Sequence, residues 1–309
     1  MAKITILGAG AMSSAISIPL IKNRNKVNIW GTEFDKAIID KLKSDQPHPT
    51  LNMIIDANFF YSDQLAEAIE DSEIVIFGVV SSGVRKIAQM AKKFLKKQII
   101  VNVAKGFDNG QTMVEVLEQE LPDLPKVVVA GPSNAKDVSQ SQNTTVVFAS
   151  SDVHAADICK KAFQTENYSI EISDDSNGAE ICSSLKNVYG ILIHSAKTDN
   201  ERSVLFVKSL EEIGIFAEAC GGKLKTVYGL AGAGDLYLTQ WGRNGMLGKM
   251  IADGKKPSAA LEELKAKNIT VEGYAATKAA VELAKSKNLN LPLLESAYNL
   301  LYRDQPFKI

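Results

Sequence analysis

Lys3-Ile-Thr-Ile-Leu-Gly-Ala-Gly-Ala-Met-Ser-Ser-Ala-Ile-Ser17 is the stretch that decides the fold. Its apolar run, residues 4–7, reads as a buried strand; Gly8 and Gly10 turn the chain, and a helix pattern starts at Ala11. Gly8 permits the turn. Gly10 has no side chain to block a pyrophosphate, which can sit on the helix N-terminus and accept from its free N–H groups. Gly8, Gly10, Ala11 and Met12 are therefore candidate cofactor-binding residues. The third glycine of the G-x-G-x-x-G pattern is replaced by Ser13, so the fingerprint is incomplete. A glycine pair alone is also an ordinary tight turn; the strand before it and the helix after it favour a dinucleotide.

Outward from this stretch, strands and helices alternate. Residues 26–30 read as a second strand whose end, in a dinucleotide fold, faces the adenosine ribose. There the chain runs Trp30-Gly-Thr32-Glu33. An acid favours NAD and an arginine NADP; Glu33 lies slightly late, no arginine is adjacent, and both cofactors stay open. Residues 35–43 form a helix pattern, 62–64 start a short helix, 73–80 a strong buried strand, 82–95 a helix and 98–103 a strand. Lys105 then stands at a strand's carboxyl end before Gly106, either facing the ligand crevice or solvated in a turn. Strand 126–130 leads into Gly131-Pro-Ser133-Asn-Ala135, small residues that allow close approach. Gly131 and Ser133 are candidate substrate contacts, and Ala135 a cofactor contact. Strands over 143–149 and 168–172, with helix 152–163 between them, complete an expected α/β, Rossmann-like doubly wound sheet over residues 1–175.

Composition narrows the function. The 309 residues suit two domains, and 45% hydrophobic content supports real cores. A net charge of −1 without long runs of either sign makes neither nucleic acid nor an anionic membrane an expected partner. Cys159, Cys182 and Cys220 match no metal or redox spacing and fit a reducing cytoplasm. His48, His154 and His194 are isolated and read as surface or packed side chains. No signal peptide or membrane span is read, and no metal is expected.

From Asn177 helical periodicity takes over, so residues 176–309 are expected to be an all-helical substrate domain, entered near the polar cluster 173–177. Lys186 and Asn187 interrupt an apolar, small-residue helix; a lysine there is costly unless paired or used, or else snorkels to solvent. Two later loops add chemistry. Gly229-Leu-Ala-Gly-Ala-Gly-Asp235 places an acid after a glycine-rich turn and before Thr239, and Gly242-Arg243-Asn244-Gly245 offers forked donors for a phosphate.

The ordered set Gly8-Ala-Gly10, Ala104-Lys-Gly106, Gly131-Pro-Ser133, Leu185-Lys-Asn187, Gly229 to Asp235, Gly242-Arg-Asn244 and Val271-Glu-Gly-Tyr274 resembles the NAD(P)-dependent glycerol-3-phosphate dehydrogenases over nearly the whole chain. Thr32-Glu33 and Gly242 to Gly248 lean toward the archaeal type. The resemblance implies interconversion of sn-glycerol 3-phosphate and dihydroxyacetone phosphate with NAD or NADP, supplying the glycerol phosphate backbone of lipids. It implies Lys186 as the catalytic lysine, Lys105 as a second site lysine and Asp235 as the supporting acid. Arg243 and Asn244 fall on the phosphate-binding pair, and Asn187 and Thr239 on further substrate positions. Thr32, Glu33, Lys105, Arg243 and Glu272 fall on cofactor contacts, and a homodimer is a family expectation.

The chain departs from the family at Ser13, in a shorter connection over 194–200, at Lys208 where arginine is common, and in a shorter C-terminus ending Gln305-Pro-Phe-Lys-Ile309. These departures leave two competing readings. One is a paralogue acting on another phosphorylated ketone; the other is a catalytically silent nucleotide-sensing protein.

Overall fold

A computed structural model describes residues 1–267 and 269–306; the last three residues of the C-terminal run lie outside these. The strands are β1 (Lys3–Leu7), β2 (Lys26–Trp30), β3 (Asn58–Phe60), β4 (Ile74–Phe77), β5 (Ile99–Asn102), β6 (Phe107–Asp108), β7 (Gln111–Thr112), β8 (Lys126–Ala130), β9 (Thr144–Ala149) and β10 (Tyr168–Ser173). The helices of the first half are α1 (Ala11–Ala15), α2 (Ser17–Lys22), α3 (Lys36–Lys43), α4 (Leu65–Ile69), α5 (Ser81–Ala91), α6 (Met113–Glu120), α7 (Ala135–Ser139) and α8 (Val153–Phe163). Those of the second half are α9 (Ser176–Ser195), α10 (Asp199–Ala219), α11 (Leu224–Val227), α12 (Asp235–Thr239), α13 (Arg243–Ala252), α14 (Pro257–Ala266), α15 (Glu272–Ser286) and α16 (Pro292–Arg303).

The chain divides into two compact units, 1–105 with 113–176, and 106–112 with 177–309. The first is built on an eight-stranded sheet ordered β10-β9-β8-β5-β4-β1-β2-β3. All its pairs are parallel except β8 with β9. Both faces are covered, so the central strands read as apolar runs rather than alternating ones. Ile4, Ile6, Ile74, Ile76 and Val101 pack into one core, and Leu7, Val75, Phe77 and Ile100 into another. The short edge strand β3 carries no apolar run strong enough to be read from sequence.

Residues 106–112 belong to the second unit. Asn109 and Gly110 both have positive φ (50° and 73°), the two-residue hairpin turn that joins β6 to β7. The Asn-Gly pair was the legible signal for it. Phe107 anchors the hairpin by stacking on Phe216 of α10, ring centroids 6.2 Å apart.

The rest of the second unit surrounds α9. Of its twenty residues only Ser176, Asn177 and His194 escape burial, the signature of a central helix rather than an amphipathic surface one. The shortened connection after α9 closes on a capping box. Thr198 Oγ1 accepts from Glu201 N–H at 3.2 Å, and Glu201 Oε2 accepts from Thr198 N–H at 3.0 Å. Two segments read as loops are helical. Residues 230–234 form a π-helical turn running into α12, and Arg243 and Asn244 open α13. Their glycines allow close passage: a Cβ on Gly232 would overlap the Val227 carbonyl.

Candidate active site

In the first unit the candidate residues gather at the carboxyl edge of the parallel strands. Gly8 follows β1 with φ +111°, and its N–H donates to Trp30 O at 2.7 Å, tying the turn to the end of β2. A Cβ on Gly8 would lie 2.8 Å from Gly78 O, whereas one on Gly10 would meet nothing within 4 Å. The turn is thus held from behind and open in front, where a pyrophosphate would lie against the first-turn N–H groups of Ala11 and Met12. The residues present fit a dinucleotide.

Ser13 explains itself here. Its hydroxyl donates to Gly78 O, just after β4, and a Cβ on Gly78 would overlap Ser13 Oγ. The space that the missing third glycine would leave on the helix is provided instead on the facing strand. Gly78→Ala should destabilise the protein by about 1–3 kcal/mol through overpacking. Adding Ser13→Gly should recover part of that loss, an interaction measurable as a double-mutant cycle in urea unfolding.

His48, fully buried, braces the same turn. Its Nδ1 accepts from Thr50 N–H (3.1 Å) and Leu51 N–H (3.2 Å), so the proton sits on Nε2 and is donated to Ala9 O at 3.1 Å. Burial lowers its pKa below the ordinary 6.5, and burial followed by Arg202 and Lys249 lowers that of His194. The unfolded chain therefore binds these protons more readily than the folded one. Stability should be full above pH 6.5 and fall as pH drops below it, as thermal unfolding across pH 7.5–5.5 would show. His48→Gln should flatten that dependence.

Thr32 and Glu33 follow β2, and Lys105 follows β5. Gly131 (φ +102°), Ser133 and Ala135 follow β8, where Asn134 Oδ1 caps α7 by accepting from Asp137 N–H at 2.9 Å. A cavity of about 1020 Å³ opens at the opposite, amino edge, lined by Glu73, Gln98 and Pro125; no candidate residue lines it.

In the second unit α9, α12, α13 and α15 bring the other candidates together. Lys186, 5% exposed, donates to Asp235, which is fully buried at the start of α12. The costly lysine of the sequence is paired rather than snorkelling. Thr239 Oγ1 donates to the Asp235 carbonyl at 2.7 Å. Asn187 Oδ1 accepts from Asn244 Nδ2 at 2.9 Å, and Asn244 Oδ1 accepts from Gly273 N–H at 3.0 Å, so one amide links α9, α13 and α15. Arg243 Nη2 lies 3.2 Å from Glu272 Oε1; both side chains are about half exposed, and such a pair yields readily to a better anion.

Sequence reasoning missed the supports of these groups. Ser184, two residues before Lys186, accepts from Gly106 N–H at 3.0 Å and holds the residue following Lys105. Gly78 and His48 act through space or backbone and carry no local signature. Burial pushes the Cys159 thiol up to about 12, which makes it inert.

A glycine turn at the head of a parallel sheet, with a buried lysine–carboxylate pair in a helical unit, defines a nucleotide-dependent oxidoreductase. Residues 3–156 match the NAD-dependent glycerol-3-phosphate dehydrogenase N-terminus and residues 175–309 its C-terminus. The chain is 37% identical to the NADP(+)-dependent glycerol-3-phosphate dehydrogenase of Archaeoglobus fulgidus, covering 97% of this chain and 95% of that one. It is 32% identical to the glycerol-3-phosphate dehydrogenase [NAD(P)+] of Fusobacterium nucleatum, covering 99% and 94%. The crystal structure of glycerol-3-phosphate dehydrogenase from Coxiella burnetii superposes with a TM-score of 0.90 at 26% identity, over 98% of this chain and 95% of that one. The chain belongs to the NAD-dependent glycerol-3-phosphate dehydrogenase family. Among the described residues no helix is long and apolar enough to cross a membrane.

Proposed function

We propose that this chain interconverts sn-glycerol 3-phosphate and dihydroxyacetone phosphate with NAD(P)(H), with Lys186 as its acid–base group. The observation that carries the assignment is the buried Lys186–Asp235 pair on α9 and α12, beside the Asn187–Asn244–Gly273 chain of hydrogen bonds. The nicotinamide, when bound, supplies or takes the hydride. As a ketone is reduced, charge builds on its oxygen; the Lys186 ammonium stabilises that charge and donates the proton. In the reverse direction Lys186 Nζ receives the hydroxyl proton. Asp235 orients the amine. Arg243, released from Glu272, and Asn244 take the substrate phosphate, remote binding that holds the carbonyl in place. Lys105 is assigned to the same substrate, and Gly131 and Ser133 to close backbone approach.

The test follows absorbance of NADH, then NADPH, with purified protein and dihydroxyacetone phosphate. Rapid oxidation is expected; none with either cofactor would overturn the proposal. Glycerol phosphate supply to lipids, a cytoplasmic location and a homodimer are parts of the same proposal, the last checked by sedimentation.

A further inference from the structure

The loop after β2 carries two acids, and neither points an unengaged carboxylate at a ribose. Asp35 Oδ2 accepts from Thr32 N–H (2.9 Å), from the Thr32 hydroxyl (2.8 Å) and, more distantly, from Ala9 N–H (3.4 Å). That carboxylate ties the loop to the glycine turn. Glu33 Oε1 accepts from Lys86 Nζ at 2.6 Å, a bond that holds the Glu33 carboxyl below its ordinary pKa. Lys86 lies on α5, the helix that follows β4, and β4 and β2 flank β1 in the sheet.

Two further cations of these segments bond acids or amides other than Glu33. Arg85 Nη1 bonds Gln119 and Glu120 at the end of α6, and Lys36 bonds Asp40. Two large apolar side chains also stand in solvent at the ends of the same strands, Phe34 after β2 (87% exposed) and Val80 after β4 (68%). They offer faces to a purine. In this fold a carboxylate accepting from both ribose hydroxyls selects NAD, while a cation accommodating a 2′-phosphate selects NADP. Here the rim presents an ammonium, and the carboxylate beside it is already neutralised.

We propose that Lys86 reads the adenosine ribose, exchanging Glu33 for a 2′-phosphate, so that the site prefers NADP(H) over NAD(H). The proposal rests on the dehydrogenase reading of the glycine turn. The exchange is easy because the Lys86–Glu33 pair is exposed, at 63% and 44% of the two side chains, and exposed pairs hold weakly. A phosphate monoester carries nearly two charges against the carboxylate's one and offers three acceptor oxygens. Glu33, half in solvent, can swing aside, but its charge then opposes the phosphate. The carboxylate thus limits a preference that the lysine creates.

The test is calorimetric titration of the full chain with 2′,5′-ADP and 5′-AMP, and with NADP+ and NAD+. One charge-assisted contact predicts about 10- to 100-fold tighter binding of 2′,5′-ADP than of 5′-AMP. Lys86→Met should abolish that ratio while leaving 5′-AMP affinity unchanged. Lys86→Arg should keep it, and Glu33→Gln should increase it. Equal binding of the two fragments by the parent protein would overturn the proposal. So would a ratio that survives Lys86→Met, or a Lys86→Met loss shared equally by both fragments. If 5′-AMP and both dinucleotides fail to bind at all, the dinucleotide site itself falls, and this inference with it.

Discussion

Lys186→Met is expected to lower kcat for dihydroxyacetone phosphate reduction by about 10²- to 10⁴-fold, the usual contribution of a positioned acid–base group. The measurement is steady-state oxidation of the reduced nicotinamide, with cofactor affinity determined separately by titration. Affinity should hold, because Lys186 is not among the residues read as cofactor contacts. Stability will also change, since the variant leaves the Asp235 carboxylate fully buried without its ammonium. Breaking a buried ion pair from one side costs about 3–5 kcal/mol, whereas replacing both partners by apolar groups is often neutral. The double variant Lys186→Met/Asp235→Leu should therefore regain most of the lost stability in urea unfolding and none of the activity. Activity restored along with stability would show that Lys186 supports the fold and not the reaction.

Glu212→Ala should be the most damaging single substitution outside the candidate site. Glu212, 5% exposed on α10, accepts from Leu293 N–H (2.6 Å), Leu294 N–H (3.0 Å) and the Tyr189 hydroxyl (2.8 Å). One carboxylate thus caps the start of α16 and joins it to α9 and α10. Its removal strands three buried donors, each costing about 1–3 kcal/mol when unsatisfied, so a total loss of about 3 kcal/mol or more is expected. Urea unfolding should show a lower midpoint with an unchanged slope. The pH dependence has the opposite sign to that of the histidines. Burial raises the Glu212 pKa, so its contribution is largest below the ordinary 4.5 and is lost as pH rises through the raised value. The capping bonds oppose that shift without cancelling it. Glu212→Gln should also be costly, because its amide turns a donor toward groups that already donate.

The two halves of the molecule were legible to different degrees. In the first, apolar runs bounded by glycines marked β1, β2, β4, β5 and β8 closely, because strands buried on both faces must be apolar throughout. The short edge strand β3 and the hairpin β6–β7 were missed, since two or three residues carry no period. In the second, Lys186 stood out because a cation on an apolar helix demands a partner. Arg243 and Asn244 were read as loop residues because glycines flank them, yet they open α13. There the glycines serve close packing rather than chain reversal.

By itself the sequence determined the strand–helix alternation of the first half, the glycine turn and the residue types a ketone reductase of phosphorylated substrates needs. Those are properties of local composition and of motifs spaced along the chain. Only the tertiary structure decided that Lys186 and Asp235 meet in a buried bond across 49 positions, that Gly78 makes room for Ser13, and that Lys86 bonds Glu33. Such pairings depend on how helices and strands pack, and a side chain's partner across a core leaves no mark on its neighbours in the chain.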